Sequence, residues 1–521
     1  MELQPWLLWP LLAVSLLYSL TSLRRSSGAG QLPPGPRPIP LIGNLLDLRH
    51  GQVHHTLARL ARVHGPVVRL RLGLTTAVVV SSRDAAREAF TRHDRRLAAR
   101  RVPDAARALG YSGRSVIWLP SSDPLWKTLR GVVAAHVASP RSLADARGVR
   151  ERKVRDLVGY FRGRAGAEVA VGHALYAGAV NLVSGVLVSV DVVDVGDDAA
   201  KGLRELVEDL VELIAKPNVS DLFPFLRALD LQGWRRWSAG HLRKIFRILD
   251  DIVDRRLAEA SSRKDRHGDF LDVLLELMFT GKISRDNLTT ILFDVFNAGS
   301  DTVAITVEWA MAELLRKPGI MAKVRAEIEG TLGCKEAVEE PDVAGMPYLQ
   351  AVVKEAMRLH PVAPLLLPHL AVEDGVEIGG YAVPKGSTVI FNAWAIMRDP
   401  AVWERPDEFV PERFLEAAAG VDFRGKDFEF IPFGAGRRLC PGLPMAERVV
   451  PLILASLLHA FEWRLPNGVA VEQVDVSEKF TTANVLAVPL RAVPVVIGSS
   501  HSFSSCPVEM WKTEAPSTKP L

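Results

Sequence analysis

The sequence is poor in cysteine and nearly neutral. Three cysteines, Cys334, Cys440 and Cys506, occur among 521 residues, which is too few for a framework of disulfides. Basic and acidic residues number 64 and 60, so the net charge is only +4 and gives no support to a nucleic-acid partner. Hydrophobic residues make up 48% of the chain, which is ample material for a large globular core.

Between its two ends the sequence also lacks an internal repeat, a long linker and a shift in composition. Length alone would suggest about three domains. Because nothing marks a boundary between them, one large domain over residues 45–498 is the better interpretation. The polar tail at 499–521 is predicted to be disordered.

The N-terminus differs from the rest of the chain. Trp6 to Leu23 is an uncharged run of eighteen residues, just long enough to span a bilayer, and Arg24 and Arg25 follow it. A cleaved signal peptide would instead need a basic N-terminal region and a small-residue cleavage site, and neither is present. We therefore predict a transmembrane signal anchor over 1–23, a basic and proline-rich hinge over 24–44, and a body that faces the cytosol.

The stretch FGAGRRLCPG, Phe433 to Gly442, presents Cys440 on a glycine-punctuated loop that leads into an apolar helix. A thiolate needs help to stay ionised, and this cysteine precedes a predicted helix N-terminus and lies beside Arg437 and Arg438. The glycines of the loop allow positive φ and let the backbone approach a flat cofactor closely. A lone cysteine is more often a small buried hydrophobe, so its chemistry depends on the rest of the chain.

Two pairs of side chains have helical spacing. Trp126 and Arg130 in WKTLR are four residues apart, and Glu355 and Arg358 in EAMR are three apart, so each pair lies on one face of a predicted helix. By itself the first pattern indicates surface stacking. The second indicates a surface ion pair worth a few tenths of a kcal/mol.

A helical pattern of more than thirty residues runs from Ser284 to Lys317 and stops at Pro318. Its middle reads FNAGSDT, in which Gly299 costs about 1 kcal/mol relative to alanine and therefore needs a reason. Close packing against another helix is one explanation. A functional groove is the other.

Together these motifs resemble the haem-thiolate signature of cytochromes P450. Phe433, Gly436, Arg438, Cys440 and Gly442 all stand where that signature has them. The resemblance covers nearly the entire chain. It implies the cytochrome P450 fold, mainly α with small β-sheets, as a single large haem domain behind an N-terminal membrane anchor. It also implies haem b as cofactor, with the Cys440 thiolate as the axial ligand of its iron.

The resemblance assigns roles to the other motifs. AGSDT is similar to the oxygen-binding groove of the P450 long helix, in which Gly299 makes room over the iron and Thr302 and Asp301 deliver protons to the distal oxygen. The side chains implied to hold the haem carboxylates are Trp126, Arg130, His369 and Arg438. Those implied to have a structural role beneath the haem are Glu355, Arg358 and Arg413, the last from the segment PERF.

Apolar segments are predicted to line a substrate pocket. PVAPLLLPHLA alternates prolines with aliphatic residues, which indicates a rigid extended segment, and Phe480 to Leu490 is predicted to form a hairpin with its tip in the pocket. Such a pocket favours an oily molecule with few polar anchors. The candidates for its wall are Val295, Phe296, Gly299, Leu365, Leu366, Leu367, Val485 and Leu486.

The electron source is predicted to be a separate protein. GAGRRL lacks the third glycine of a dinucleotide fingerprint, and no flavin motif occurs elsewhere. We therefore expect electrons from NADPH through NADPH-cytochrome P450 reductase. The expected reaction is monooxygenation with O2 at the endoplasmic reticulum membrane, by a single-pass protein whose catalytic body faces the cytosol.

The anchor, the hinge, EWAMAELL and FEWRLP resemble plant P450s of the geraniol-hydroxylase-like branch. Cereal members of that branch act on labdane-related diterpene olefins in phytoalexin biosynthesis, so we expect hydroxylation of such an olefin. The alternatives are a monoterpenol hydroxylase and a P450-fold isomerase or dehydratase that does not need O2. A non-catalytic haem-binding membrane protein is an alternative from a different class.

Overall fold

The computed structural model describes residues 30–49, 51–195, 198–262 and 267–497. The predicted anchor at 1–23, the start of the predicted hinge at 24–29 and the predicted tail at 499–521 lie outside the described residues. The rest of the hinge, 30–44, contains no helix, as its prolines require.

Helices dominate the described part of the chain, as the sequence predicts. The α-helices are α1 Val53–His64, α2 Arg83–Arg92, α3 Asp94–Leu97, α4 Pro124–His136, α5 Pro140–Asp145, α6 Arg147–Arg162, α7 Val171–Val188, α8 Asp198–Ala215, α9 Val219–Leu222, α10 Trp234–Ser262, α11 Phe270–Phe279, α12 Arg285–Arg316, α13 Pro318–Leu332, α14 Glu340–Val343, α15 Pro347–Leu359, α16 Ala393–Ile396 and α17 Leu443–Ala460. Short 3-10 helices are Leu45–Leu48, Ala105–Gly113, Pro224–Leu229, Pro411–Phe414, Gly436–Arg438 and Val471–Gln473.

The strands form small sheets. They are β1 Val67–Leu72, β2 Thr75–Val80, β3 Ala99–Arg100, β4 Val169–Ala170, β5 His369–Leu370, β6 Val376–Ile378, β7 Tyr381–Val383, β8 Thr388–Phe391, β9 Phe461–Arg464, β10 Glu478–Phe480, β11 Asn484–Leu486 and β12 Arg491–Val496. The largest sheet has the order β1-β2-β8-β5-β3, and the others are β4-β12-β9, β6-β7 and β10-β11. The antiparallel pair β10-β11 confirms the predicted hairpin, which begins at Glu478 and ends at Leu486 rather than running from Phe480 to Leu490, and β1-β2 forms another hairpin.

Helix α12 is the central element, and its sequence explains both of its ends. The Ser284 hydroxyl accepts the Asn287 backbone N–H at 3.1 Å, and the Asn287 side chain accepts the Ser284 backbone N–H at 3.1 Å, which closes a capping box. The helix stops just before Pro318. Since the helix packs against α7, α10, α15 and α17, its side chains between these ends are mostly buried, and it crosses the whole body.

Two described helices, α7 and α17, are long and apolar enough to span a membrane by length and composition. They are 94% and 61% buried within the protein, which is what core helices show. The apolar helix predicted after the cysteine loop ends at Ala460, because the chain then pairs with β12 as strand β9. Pro444 lies in the first turn of α17, where a proline is tolerated, and Pro451 lies in its interior.

Candidate functional site

Cys440 lies on the loop between the 3-10 helix Gly436–Arg438 and the N-terminus of α17. Its backbone N–H donates to the Phe433 carbonyl oxygen at 3.0 Å, which closes the loop on itself. Burial raises the pKa of the Cys440 thiol, while backbone N–H groups of Gly442 and Leu443 and the charge of Arg130 act to lower that pKa. The predicted contribution of the helix N-terminus to the thiolate is therefore present.

The two arginines of the loop, Arg437 and Arg438, were expected to help keep Cys440 ionised, but they bind other groups. The Arg437 guanidinium forms an ion pair with Asp94 at 3.0 Å. Arg438 Nε donates to the Ala98 carbonyl at 2.7 Å, and its terminal nitrogens donate to the Val116 carbonyl at 3.2 Å and to the Leu119 carbonyl. These arginines fasten the loop to the segment before α4, and the cation that acts on the thiol is Arg130.

The glycines of the loop serve different purposes. Gly434 and Gly436 have positive φ, +72° and +66°, whereas Gly442 has a φ of −81° that any residue can adopt. A Cβ at Gly436 would collide with the Asp94 carboxylate, and a Cβ at Gly442 would lie 3.7 Å from the Cys440 sulfur. Gly436 is thus explained by the contact with Asp94, and Gly442 is the glycine that lies beside the thiol.

Three arginines form a cationic group near this loop, and sequence reasoning identified only two of them. Burial lowers the pKa of Arg100 to about 9 and of Arg438 to about 10, and in each case a neighbouring arginine lowers it further. Burial also lowers the pKa of Arg130. Within the described residues, none of the three forms a salt bridge with an Asp or Glu, and the buried Nε of Arg100 has no hydrogen-bond partner.

His369 belongs to the same group. Strand β5 pairs with β3, which sets His369 opposite Arg100, and the His369 Nδ1–H donates to the Leu97 carbonyl at 2.8 Å. Burial, followed by the charge of Arg100, holds the pKa of His369 well below its usual value. Concentrated positive charge without a carboxylate partner among the described residues fits a ligand with two carboxylates, and haem has two propionates. The residues present therefore fit the cofactor that the sequence predicts.

Trp126 lies at this site, but its single donor is already bonded. The indole N–H donates to the Val116 carbonyl at 3.0 Å, and the Arg438 guanidinium lies over the indole ring at 4.8 Å from its centre. The structure thus assigns Trp126 to supporting Arg438 rather than to donating to a carboxylate. Arg130, one turn further along α4, contacts the Leu439 carbonyl of the cysteine loop.

The middle of α12 exposes one line of small side chains. Ala298 and Thr302 are exposed, while their neighbours on the helix are buried or half-buried, and the Thr302 hydroxyl donates to the Ala298 carbonyl at 2.7 Å. A Cβ at Gly299 would instead approach a methyl group of Val183, on α7, at 3.3 Å. The structure supports close packing for Gly299, and it gives no support to the prediction that Gly299 makes room over the iron. Ala298 has the open position, as its spacing of four from Thr302 could have indicated.

Asp301 faces a different neighbourhood from Thr302. Burial raises the pKa of Asp301 from 3.8 to about 6, while the charge of Arg204 lowers it and the charges of Glu208 and Glu308 raise it further. Arg204 and Glu208 belong to α8, so this carboxyl points to the α8 side of α12. A carboxyl with a pKa near neutrality is suited to taking up and releasing protons.

The predicted pocket residues do not all lie on one wall. Leu366 has a φ of +48° and its side chain lies against Gly434 of the cysteine loop. Leu365 packs with a second apolar cluster around Leu57, next to α1, and Leu367 is exposed while its carbonyl accepts Arg100 at 2.5 Å. Of the three leucine side chains, only that of Leu366 thus lies against the cysteine loop, while Leu367 meets the site through its backbone carbonyl. The remaining candidates, which belong to or pack against the main core, are Val295, Phe296, Val485 and Leu486.

Glu355, Arg358 and Arg413 form a buried ion-pair cluster, whereas the helical spacing of the first two residues indicates only a surface pair. Glu355 accepts Arg358 Nε at 2.7 Å and Arg413 Nε at 3.0 Å. Arg358 also donates to the backbone carbonyls of Met397 at 2.9 Å and Pro406 at 2.8 Å. All three charged side chains are buried, so the cluster ties α15 to the PERF segment.

A half-buried cysteine at a helix N-terminus, together with cations that suit two carboxylates, is the arrangement expected of a haem-thiolate protein. The family model for cytochrome P450 matches residues 33–488, and the chain belongs to this family. Among the relatives, the chain is 67% identical to Cytochrome P450 76M5 of Oryza sativa subsp. japonica over 94% of this chain and 99% of that protein.

Two further relatives from the same rice are named for their functions. Oryzalexin D synthase is 63% identical and Ent-cassadiene C11-alpha-hydroxylase 1 is 62% identical, each over 95% of this chain and 99% of the relative. The chain is accordingly a cytochrome P450 monooxygenase of a plant type that is typically microsomal. It works with a haem-thiolate cofactor, O2, a small-molecule substrate and a redox partner that supplies electrons.

Proposed function

We propose that the protein hydroxylates a labdane-related diterpene olefin in the biosynthesis of plant defence compounds. The observation that carries this proposal is the identity of 62–63%, over nearly the whole chain, with Oryzalexin D synthase and Ent-cassadiene C11-alpha-hydroxylase 1. The apolar character of Leu366, Val485 and Leu486 agrees with an oily substrate that has few polar anchors.

In this proposal the cofactor is haem b and its iron ligand is the Cys440 thiolate. When bound, haem with a thiolate ligand supplies the oxidising chemistry that inserts one oxygen atom of O2 into a C–H bond. The surrounding chain binds and orients it. Arg100, Arg130 and Arg438 neutralise the propionates with His369 beside them, and the remaining loop residues that position the thiolate are Phe433, Gly436 and Gly442.

Proton handling falls to α12. The Thr302 hydroxyl, held by the Ala298 carbonyl, is placed to hold a water or a proton at the exposed line of the helix. Asp301, whose pKa of about 6 allows it to exchange protons near neutral pH, is the proposed source on the protein side. The presence of this acid-alcohol pair weighs against an isomerase or dehydratase that does not need O2.

The body is proposed to face the cytosol at the endoplasmic reticulum, behind a single-pass anchor over 1–23. The segment around the 3-10 helix Pro224–Leu229 supports a membrane position, since Phe225, Leu229 and Leu231 are 72%, 61% and 58% exposed. Electrons are proposed to come from NADPH through NADPH-cytochrome P450 reductase. The proposed haem domain extends over 45–498, behind the hinge at 24–44 and ahead of the tail at 499–521.

Co-expression with a plant reductase in microsomes tests the proposal. Microsomes are given ent-cassadiene, other labdane-related diterpene olefins and geraniol, with NADPH under 18O2, and the products are identified by mass spectrometry and NMR. We expect a hydroxylated diterpene that carries one 18O atom, and none from Cys440→Ser microsomes. Oxidation of geraniol alone would overturn the substrate class, and product formed without O2 and NADPH would overturn the reaction.

A further inference from the structure

A second cluster of metal-ligating side chains joins α1 to strand β10. His54 and His55, in the first turn of α1, both direct Nε2 at the same oxygen, Oε2 of Glu478, at 2.8 and 2.9 Å. All three ligand atoms lie within 4.8 Å of one another. Neither the predicted haem site nor the proposed reaction uses these residues.

The carboxylate of Glu478 is oriented by separate groups on its other side. Its Oε1 accepts the Trp394 indole N–H at 3.2 Å, and an Arg398 terminal nitrogen lies 3.6 Å from the same oxygen. His360 Nδ1 lies 3.5 Å from it. Oε2 is therefore left facing the two α1 histidines, which is the arrangement that outer-shell groups give to a monodentate carboxylate ligand.

The backbone on both sides of the cluster is held in register. The Gln52 side chain, at the N-cap of α1, donates to the Glu478 carbonyl at 2.8 Å and accepts the Phe480 backbone N–H at 2.9 Å. The Asn392 side chain donates to the His54 carbonyl at 2.9 Å. The three ligands are thus presented by fixed elements, as a preorganised metal site requires.

The distances from the two histidine nitrogens to the Glu478 oxygen would suit a small cation if these atoms moved slightly apart. Tetrahedral Zn²⁺ with ligands at about 2.0–2.2 Å holds its ligand atoms roughly 3.3 Å apart. The two nitrogen-to-oxygen distances of 2.8 and 2.9 Å would each need to lengthen by only about half an ångström. His54 and Glu478 are 0% and 6% exposed, while His55 is 42% exposed and is free to make the adjustment.

We propose that His54, His55 and Glu478 bind one Zn²⁺ ion, with water in a fourth position on the exposed side of His55. Two imidazole nitrogens and one carboxylate oxygen are a ligand set that Zn²⁺ takes in proteins. Binding releases any proton held between the imidazoles and the carboxylate, since the metal replaces those hydrogen bonds.

A metal at this position would act on the hairpin β10-β11. Asn484 of β11 donates its N–H to the Val362 carbonyl at 2.9 Å and accepts the Trp309 indole N–H of α12 at 2.9 Å. Cross-linking β10 to α1 therefore restrains the hairpin that carries Val485 and Leu486. Zinc thereby stabilises the folded enzyme without touching the haem site.

Zinc stoichiometry in the full-length, untagged holoenzyme tests the proposal. The detergent-solubilised protein is stripped with a chelator and equilibrated with rising free Zn²⁺, and bound zinc is measured against haem iron by mass spectrometry. We expect one zinc per haem at saturation, with two imidazole ligands in the zinc-edge X-ray absorption spectrum and an increase in the melting temperature.

Single-residue variants distinguish zinc bound at this site from zinc bound at other histidines. His55→Ala, a change at a partly exposed residue, should weaken zinc binding by at least about tenfold and abolish the increase in melting temperature. His136→Ala, at the exposed end of α4, should leave both unchanged. Glu478→Gln should behave as His55→Ala, with the reduced carbon-monoxide spectrum as the check on folding. Zinc retained equally by wild type and His55→Ala, or bound without imidazole ligands, would overturn the proposal.

Discussion

Replacing Glu355 by glutamine removes the carboxylate shared by two buried arginines. In the folded protein Glu355 accepts hydrogen bonds from Arg358 Nε at 2.7 Å, Arg413 Nε at 3.0 Å and the Val410 backbone N–H at 2.9 Å. Glutamine keeps the shape but places an NH2 group where one carboxylate oxygen stood. One former acceptor then faces a donor, and both arginines lose their counter-charge.

The expected loss in the free energy of unfolding follows from the burial of Glu355 and its two arginine partners. Removing one partner of a buried ion pair costs about 3–5 kcal/mol, because the remaining charge has no compensation. A whole protein is stable by about 5–15 kcal/mol, so Glu355→Gln should lose a large part of the total. An exposed pair behaves differently. Glu462 and Arg464 lie 3.0 Å apart with side chains 50% and 60% exposed, so Glu462→Gln should cost less than about 1 kcal/mol.

The assay is urea unfolding of the holoenzyme, followed by loss of the reduced carbon-monoxide band and by far-UV circular dichroism. Glu355→Gln should unfold at a much lower urea concentration than wild type, and it should accumulate less haem-loaded protein during expression. Glu462→Gln is the matched control, since it makes the same chemical change at the surface. Equal urea midpoints for the two variants would refute the structural role of Glu355.

The remaining predictions concern α12. Gly299→Ala should change product formation little, because the added methyl group would face Val183 of α7 rather than the exposed line of α12. Ala298→Val should lower turnover severalfold, because its larger side chain would stand on that exposed line. Equal effects of the two variants on turnover would contradict the assignment of Ala298 to the open position. Thr302→Ala should retain haem but form less product and more peroxide per NADPH, and unchanged coupling would argue against proton delivery. Because the pKa of Asp301 rises from 3.8 to about 6 on folding, the folded state holds a proton that the unfolded chain loses, so stability falls as pH rises through that window. Asp301→Asn should flatten this pH dependence of stability. If the urea midpoint changes with pH equally in Asp301→Asn and in wild type, Asp301 is not the group responsible.

Local patterns predicted much of the fold. The helical pattern from Ser284 to Lys317 and the observed α12, Arg285–Arg316, differ by one residue at each end, because a capping serine and a following proline mark both ends. The end of α17 was less predictable. Apolar residues continue past Ala460 into β9, and only pairing with the distant β12 makes that stretch a strand.

In the candidate site, too, local motifs were predictable and contacts between distant parts of the chain were not. Cys440, Trp126 and Arg130 belong to compact motifs that a single sequence can display. Arg100 stands in an arginine-rich stretch with no distinguishing spacing, and it reaches the site because β3 pairs with β5, a contact between residues far apart in the chain. No local pattern encodes that pairing.

The direction in which individual side chains point also could not be predicted from the sequence. Motif position placed Gly299 in the oxygen groove, but a helix turns about 100° per residue, so its neighbour Ala298 has the exposed position. Likewise the run Leu365 to Leu367 could not be divided among its three environments from sequence, since the positive φ of Leu366 redirects the chain.

The measurement that tests the account most directly is the reduced carbon-monoxide spectrum of Cys440→Ser. Thiolate ligation gives P450s their characteristic shifted Soret band, which a serine hydroxyl does not reproduce. Wild type should show this band, and Cys440→Ser, expressed and folded to a comparable level by circular dichroism, should not. A Cys440→Ser protein that keeps the band would contradict the assignment of Cys440 as the iron ligand.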